Sequence, residues 1–540
     1  MTHWNKQTLA TALARVARER PTQDALVIAG RRVTYGDLWQ SVQQVARGLY
    51  ASGIRRGDRV AVCMQNSVEW VLSFYGAATI GAVTIPVNTR FKAEELEYCL
   101  RQADVRLLLI VERFLKIDFI AMLRRICPAL DGKLPDARLP RLEQVIVLGG
   151  DVPAAAISFG QLLARGSGAA NLPPFETHPD DVLLMQYTSG TTSYPKGVML
   201  THDNMLRNAA YVAARFDCKP GDRYYSARPF YHVAGTTLSL LAALASGATL
   251  FSSPHFEPEE ALRVMSAEEC TLTSGNDTMF LMLCNHPNFA RYPLKLRGGW
   301  ASAGPEASRQ IVERMGMHGL CHAYGLSEAS PNVCMSHHDD DLEKRINGWG
   351  HVLDEVEVRI VDDTTGVDQP PGSSGEILVR GWSVMKGYYN MPEQTARAID
   401  AHGWLHTGDL GIMDAGGRLR FLTRIKDVLR VGGENVAPAE VEDVLHRHPK
   451  IKHAQVIGVP EPRLTEVPAA YVILREGEDL TPDEIIAWSK ERMANFRVPR
   501  YVKIVDTFEH IGMTGSAKVQ KNKLRAQAQI DFSLEKLTAK

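Results

Sequence analysis

The chain has 540 residues, 45% of them hydrophobic and 23% charged, and a formal net charge of −1. That length exceeds what a single core organises, so several structural units are expected. The near-zero charge excludes a dedicated nucleic-acid or membrane-surface binder, which needs a basic excess.

The N-terminal stretch "MTHWNKQTLATALARVARERP" lacks the apolar core and small-residue cleavage site of a secretory signal. "TYGDLWQSVQQVARGL" follows, with a capping-box-like Thr34/Asp37 pair and Leu38, Val42, Val45 and Leu49 on one helical face. "GDRVAVCM", "VRLLLIV" and "LEQVIVLG" read as short buried strands. The greasy run Val71–Val87 contains Ser, Thr, Gly and Pro86 and is short for a membrane span, which predicts a buried helix running into a strand. Residues 130–180, rich in Pro, Gly, Ala and Asp, predict surface connections.

After residue 350 the texture changes to short strands with tight turns, "EVEVRIVDD", "GEILVRG" and "GRLRFLTR". A compact α+β segment follows Arg424, which places a domain boundary near residue 425. The eight cysteines form no C-x-x-C pair and lie in apolar stretches, the pattern of reduced, buried thiols in a cytoplasmic protein. The pattern predicts an α/β fold: an N-terminal body, residues 1–425, of two α/β sheets and a β-rich subdomain, then a small mobile α+β C-terminal domain, residues 426–540.

The chemistry concentrates in a few segments. "DVLLMQYTSGTTSYPKGVML" is a strand feeding a loop of glycine and hydroxyl side chains, and "THDNMLRNAAYVAARF" then predicts a helix with Leu206, Ala209, Ala213 and Phe216 on one face. Such a loop offers backbone N–H groups, hydroxyls and the mobile cation Lys196 to polyphosphate oxygens. It is not the Walker pattern, because Lys196 precedes the second glycine, Gly197. "PFYHVAG" (229–235), "ASAGPE" (301–306), "AYGLSE" (323–328), "GWLHTGDLG" (403–411), "RIKDVLRVGGENVAPAEVE" (424–442) and "TGSAKVQKNKLR" (514–525) follow in that order.

With the loop at 187, these segments closely resemble the ordered motifs of the adenylate-forming superfamily of acyl-CoA synthetases, luciferases and peptide-synthetase adenylation domains, and specifically its acyl-CoA synthetase branch. The resemblance runs from Thr34 to Arg525. It implies a carboxylate:CoA ligase that first joins a carboxylic acid to the α-phosphate of ATP, releasing pyrophosphate. Displacement of AMP by the thiol of coenzyme A then gives the thioester. ATP, Mg²⁺ and coenzyme A are the implied cofactors, and a small carboxylic acid is the implied partner, with no nucleic acid and no membrane span. The oligomeric state stays open, a homodimer included.

The resemblance also distributes roles. Thr188, Ser189, Gly190, Thr191, Thr192 and Lys196 match the β/γ-phosphate loop, with Ser193 where relatives usually carry Gly. Glu328 matches the Mg²⁺ carboxylate, a hard oxygen suited to that ion. Ser327 keeps the hydroxyl for the α-phosphate where relatives usually have Thr. Tyr324 and Gly325, with Ala303, Gly304 and Pro305, match the adenine pocket. Asp409 matches the ribose carboxylate, whose two oxygens accept two hydroxyl donors. Arg424 matches a second ribose or phosphate contact, Lys426 the hinge, and Gly432 and Gly433 the coenzyme A tunnel.

Lys518 matches the adenylating lysine, a cation at a developing phosphorane charge, although Ala517 replaces the usual preceding Gly. On the acid side the matching positions are Tyr231, His232, Asn276, Asp277, Gly299, Trp300 and Asn332. His232 matches a catalytic-site position, while an isolated histidine is more often a satisfied core residue. Gly298 and Gly299 beside Trp300 suggest local room, and so a medium-chain, alicyclic or aromatic acid. A stand-alone adenylation enzyme that loads a carrier-protein phosphopantetheine is the first alternative. A non-catalytic nucleotide-binding homologue is the second.

Overall fold

A computed structural model describes residues 4–169, 177–188, 195–432, 434–513 and 519–534. Ser189, Gly190, Thr191, Thr192, Ser193, Gly433, Ala517 and Lys518 lie outside the described residues. The chain divides into two compact units, Met1–Ser274 with Gly325–Val333 and Arg380–Leu405, and Gly275–Tyr324 with Cys334–Val379 and His406–Lys540.

The first unit holds a seven-stranded sheet in the order Lys196–Thr201, Val182–Thr188, Val83–Pro86, Arg59–Cys63, Leu107–Val111, Gln144–Leu148, Ala156–Ser158. All its neighbours pair in parallel except the first two strands, which are antiparallel. The central strands are buried on both faces, which is why they read as unbroken apolar runs. A second parallel set joins Leu272–Asn276, Arg223–Tyr225, Thr249–Ser252 and Asp24–Ile28, and Arg31–Thr34 closes it antiparallel.

Thr34 caps the helix Tyr35–Ala51 by accepting from the Asp37 N–H, and Leu38, Val42, Val45 and Leu49 are buried as their spacing requires. The run at Val71 is the buried helix Val68–Thr79 followed by the strand Val83–Pro86, as expected. The helix His202–Arg215 differs from its amphipathic reading: His202, Asp203, Asn204, Arg207 and Asn208 are buried along with its apolar face. Residues 130–180 are more than connections, since the helix Phe159–Gly168 lies within them. Its signal is a capping box, in which Ser158 accepts from the Gln161 N–H and Gln161 from that of Ser158.

In the second unit, Gly298–Ser302 and Gly319–Gly325 are parallel strands flanking the helix Pro305–Met315. An antiparallel set follows, with Trp349–Val352 paired to Arg418–Arg424 and that strand to Leu405–Met413. The C-terminal sheet orders Glu434–Val436, Leu429–Val431, Thr465–Leu474 and Ile451–Glu461, with Tyr501–Ile504 parallel to Thr465–Leu474. Adjacent residues of its long strands point to opposite faces, so Val456 joins a core with Val441, Leu445 and Ile485, while Ile457 joins one with Tyr471, Leu524 and Ala528. Among the described residues no helix is long and apolar enough to cross a membrane. All eight cysteines are buried and unbridged.

Candidate active site

Within the first unit, the strand Val182–Thr188 delivers Thr188 to the start of the glycine- and hydroxyl-rich loop, and Lys196 opens the returning strand directly opposite it in register. The ammonium of Lys196 sits 4.2 Å from the centroid of the Tyr388 ring, a cation–π contact that holds the side chain without neutralising it. The Tyr388 hydroxyl donates to Glu328 Oε1 at 2.9 Å. Glu328 lies in the short turn Ser327–Ala329 and is half-buried, like Ser327.

The turn's backbone bonds include Leu326 N to Pro331 O at 2.8 Å, Ala329 N to Leu326 O at 2.9 Å and Met385 N to Glu328 O at 2.9 Å, and Ser330 Oγ donates to Ser383 O at 2.6 Å. Lys196, Tyr388 and Glu328 therefore form one continuous line of contacts. Tyr388 was not singled out from the sequence, because its partners lie 60 and 192 positions away. Its only local signal is the aromatic pair of "KGYYN".

In the second unit, the Tyr324 hydroxyl donates to Asp409 Oδ2 at 2.8 Å, and Arg424 Nε lies 3.2 Å from Asp409 Oδ1. Asp409 and Arg424 face each other across the antiparallel ladder, so the sheet register itself makes the pair. The Tyr324 ring stacks on Phe421 with centroids 5.1 Å apart and planes 11° from parallel. Burial, with Asp409 beside it, pushes the Tyr324 hydroxyl well above its ordinary pKa and keeps it a donor.

Ser302 Oγ donates to Ala323 O at 2.9 Å, tying the strand before Ala303, Gly304 and Pro305 to the strand that carries Tyr324. Pro305 occupies the first turn of its helix, where the lost N–H has no intrahelical partner in any case. Lys426 lies in the turn Ile425–Asp427, and partial burial and Arg424 lower its pKa. Gly432 stands at φ +60° in the turn before Glu434, and its N–H donates to Leu464 O at 2.8 Å.

The acid-side positions divide between the units. Tyr231 is buried, while His232 is exposed, against its reading as a core residue. His232 Nδ1 accepts from the Ala234 N–H at 3.2 Å, so the neutral ring carries its proton on Nε2. Asn332 is buried, and the Asn208 carboxamide clasps its backbone, donating to its carbonyl at 2.8 Å and accepting from its N–H at 3.3 Å.

In the second unit Asn276 caps the helix Asp277–Cys284 by accepting from the Met279 N–H at 2.9 Å, and Asp277 Oδ1 accepts from the Thr278 N–H at 2.8 Å. Trp300 is buried. The room inferred at Gly298 goes to the backbone instead, because a Cβ there would lie 2.8 Å from the Gly319 carbonyl oxygen in the paired strand. Gly299 follows at φ +137°. Gly298 is thus explained by strand packing and not by room for the acid.

Two family models match the chain: AMP-binding enzyme over residues 13–389, and AMP-binding enzyme C-terminal domain over residues 440–518. The chain belongs to the AMP-binding enzyme family. A putative acyl-CoA synthetase of Bacillus subtilis (strain 168), YngI, is 37% identical over 541 residues, with 98% of each chain covered. The mitochondrial medium-chain acyl-CoA ligase ACSF2 of Rattus norvegicus is 34% identical over 552 residues, covering 98% of this chain and 89% of the relative. Among solved structures, the anthranilate CoA ligase AuaEII in complex with anthranoyl-AMP superposes with a TM-score of 0.88 at 25% identity, over 98% of both chains.

This AMP-binding enzyme is thus an adenylate-forming enzyme of the acyl-CoA synthetase branch, with ATP, Mg²⁺ and coenzyme A as its cofactors. The donor set fits Mg²⁺. Among the described residues no group of three or more His, Cys, Asp or Glu could hold a metal ion. Glu328 instead offers one carboxylate, with one oxygen steadied by Tyr388. That suits an ion which keeps most of its shell as water and substrate phosphate.

Proposed function

We propose that this enzyme is an AMP-forming carboxylate:CoA ligase for a medium-chain, alicyclic or aromatic acid, working in the cytoplasm. The observation that carries the reading is the line Lys196–Tyr388–Glu328, a cation and a carboxylate held by one phenol. The names of two relatives support the acid class, a medium-chain acyl-CoA ligase and an anthranilate CoA ligase. Eight buried, unbridged cysteines support a reducing compartment.

In this reading Lys196, Thr188 and the loop between them grip the β- and γ-phosphates. Glu328 holds Mg²⁺, which supplies charge neutralisation to the phosphate oxygens. Asp409 accepts the ribose hydroxyls, for which each of its oxygens retains lone-pair capacity beside Tyr324 and Arg424. Tyr324 and the Ala303–Pro305 backbone border the adenine. His232 directs its Nε2–H to the acid carboxylate, which attacks the α-phosphate while Lys518 stabilises the charge that develops there. Rotation about Lys426 then brings Gly432 and Gly433 to coenzyme A for the thioester step.

A panel of short, medium, branched, alicyclic and aryl acids, assayed for thioester with free coenzyme A, tests this directly. The expected result is turnover that peaks among medium-chain, alicyclic or aryl acids. Turnover only with a carrier-protein phosphopantetheine would replace it with the carrier-loading reading. Failure to support acid-dependent exchange of pyrophosphate into ATP would remove catalysis altogether.

A further inference from the structure

The segment Ser226–His232 joins the strand Arg223–Tyr225 to the short helix Val233–Gly235 and has no ladder of its own. Backbone bonds hold its two ends, Ser226 N to Phe251 O at 2.9 Å and His232 N to Pro229 O at 3.0 Å, while buried groups between them take side-chain partners. Two buried carboxamides provide them. Asn66 Oδ1 accepts from the Phe230 N–H at 2.7 Å, and Asn66 Nδ2 donates to Arg228 O at 2.9 Å and to Ser252 Oγ at 3.2 Å. Gln186 Nε2 donates to Tyr231 O at 3.1 Å. Asn66 is 2% exposed and Gln186 4%. The Phe230 ring packs on Trp70, centroids 5.4 Å apart, and fixes the segment from its apolar side.

We propose that Asn66 and Gln186 are positioning residues that hold Arg228–Tyr231, and through it the His232 imidazole, in place for the carboxylic acid. The proposal rests on the reading above in which His232 meets the acid.

Three features favour it over simple core packing. Gln186 stands two residues before Thr188, so it ties the strand that feeds the phosphate loop to the segment that ends at His232. Among the described residues its buried Oε1 has no hydrogen-bond partner, an arrangement that ordinary packing disfavours. Both clamps are neutral, so they set geometry without placing a competing charge beside a carboxylate nucleophile.

The test compares binding of 5′-O-(N-octanoylsulfamoyl)adenosine and unacylated sulfamoyladenosine by titration calorimetry. Gln186→Met keeps the bulk and loses the N–H. It is expected to weaken the acylated ligand about five- to tenfold, one hydrogen bond's worth, and to leave the unacylated ligand within about twofold. Asn66→Ala should act in the same direction, and the double variant should fall short of the product of the two, because both hold one segment. The KM for octanoate in pyrophosphate exchange should rise alongside, with the KM for ATP unmoved.

Equal loss for both ligands, or no loss in Gln186→Met, overturns the proposal, and Gln186→Met alone suffices if Asn66→Ala does not fold. His232→Ala separates the two levels. If it leaves the acylated ligand unaffected, the acid-side reading fails; if it weakens that ligand while Gln186→Met does not, only the positioning role fails.

Discussion

Asp409 and Glu328 are both carboxylates that accept a bond from a tyrosine hydroxyl, at 2.8 Å from Tyr324 and 2.9 Å from Tyr388. Their surroundings differ. The Asp409 side chain is 3% exposed and faces Arg424 across a ladder, while its tyrosine is stacked on Phe421. Glu328 is half-buried, and the nearby cation Lys196 lies over the face of its tyrosine. In the role proposed for Asp409, a carboxylate that takes neutral hydroxyls gains from being fixed and dry before the ligand arrives, because no reorganisation follows. In the role proposed for Glu328, a carboxylate that shares a divalent cation with phosphates must stay hydrated and able to adjust.

Removing each partner sharpens that contrast. Asp409→Ala should have the largest effect, raising the KM for ATP about a hundredfold by deleting charge-assisted bonds. It should also lower Tm, because the buried Tyr324 hydroxyl is left without its acceptor; kinetics and calorimetry on one preparation check both. An intact Tm would mean the pair is not fixed in advance.

The two tyrosines should then separate by readout. Tyr388→Phe should lower kcat/KM for MgATP about tenfold, the worth of one bond to a charged group. Raised Mg²⁺ should recover part of the loss, and Tm should stay unchanged because water can replace the phenol. Tyr324→Phe should instead lower Tm, since the Asp409 it leaves behind is buried. Equal Tm shifts in the two variants would erase the distinction.

The last effect falls on stability and not on turnover, and concerns four buried histidines. Burial lowers the pKa of His202, His322, His446 and His453 to about 4 each, with the like-charged His453 adding to the shift at His446. A histidine whose folded pKa lies below its unfolded value of about 6.5 binds fewer protons folded than unfolded. Stability is therefore full above about pH 6.5 and is lost as pH falls toward 4. Thermal melts between pH 8 and 4 should show that slope, and His446→Asn should make it shallower.

The family was legible because its motifs are contiguous segments. The glycine- and hydroxyl-rich loop, "AYGLSE" and "HTGD" each carry their residue types within a few positions. The apolar runs at Val71 and Leu107 announced burial on every side, and the structure buries them so. What escaped was set by pairing across long separations. Tyr388 touches Glu328 and Lys196, and Asn66 bonds a segment 162 positions on. Gly298 misled for a related reason, since a missing side chain looks like space for a ligand until the neighbouring strand is seen to fill it.

The eight buried thiols have a use of their own. Cys63, Cys99, Cys127, Cys218 and Cys270 belong to the first unit and Cys284, Cys321 and Cys334 to the second. A thiol reagent thus finds nothing to modify while both units stay closed, and each unit that opens exposes its own set. The order in which the cysteines react under mild denaturant is a built-in clock, read by peptide mapping, of which half of the enzyme lets go first.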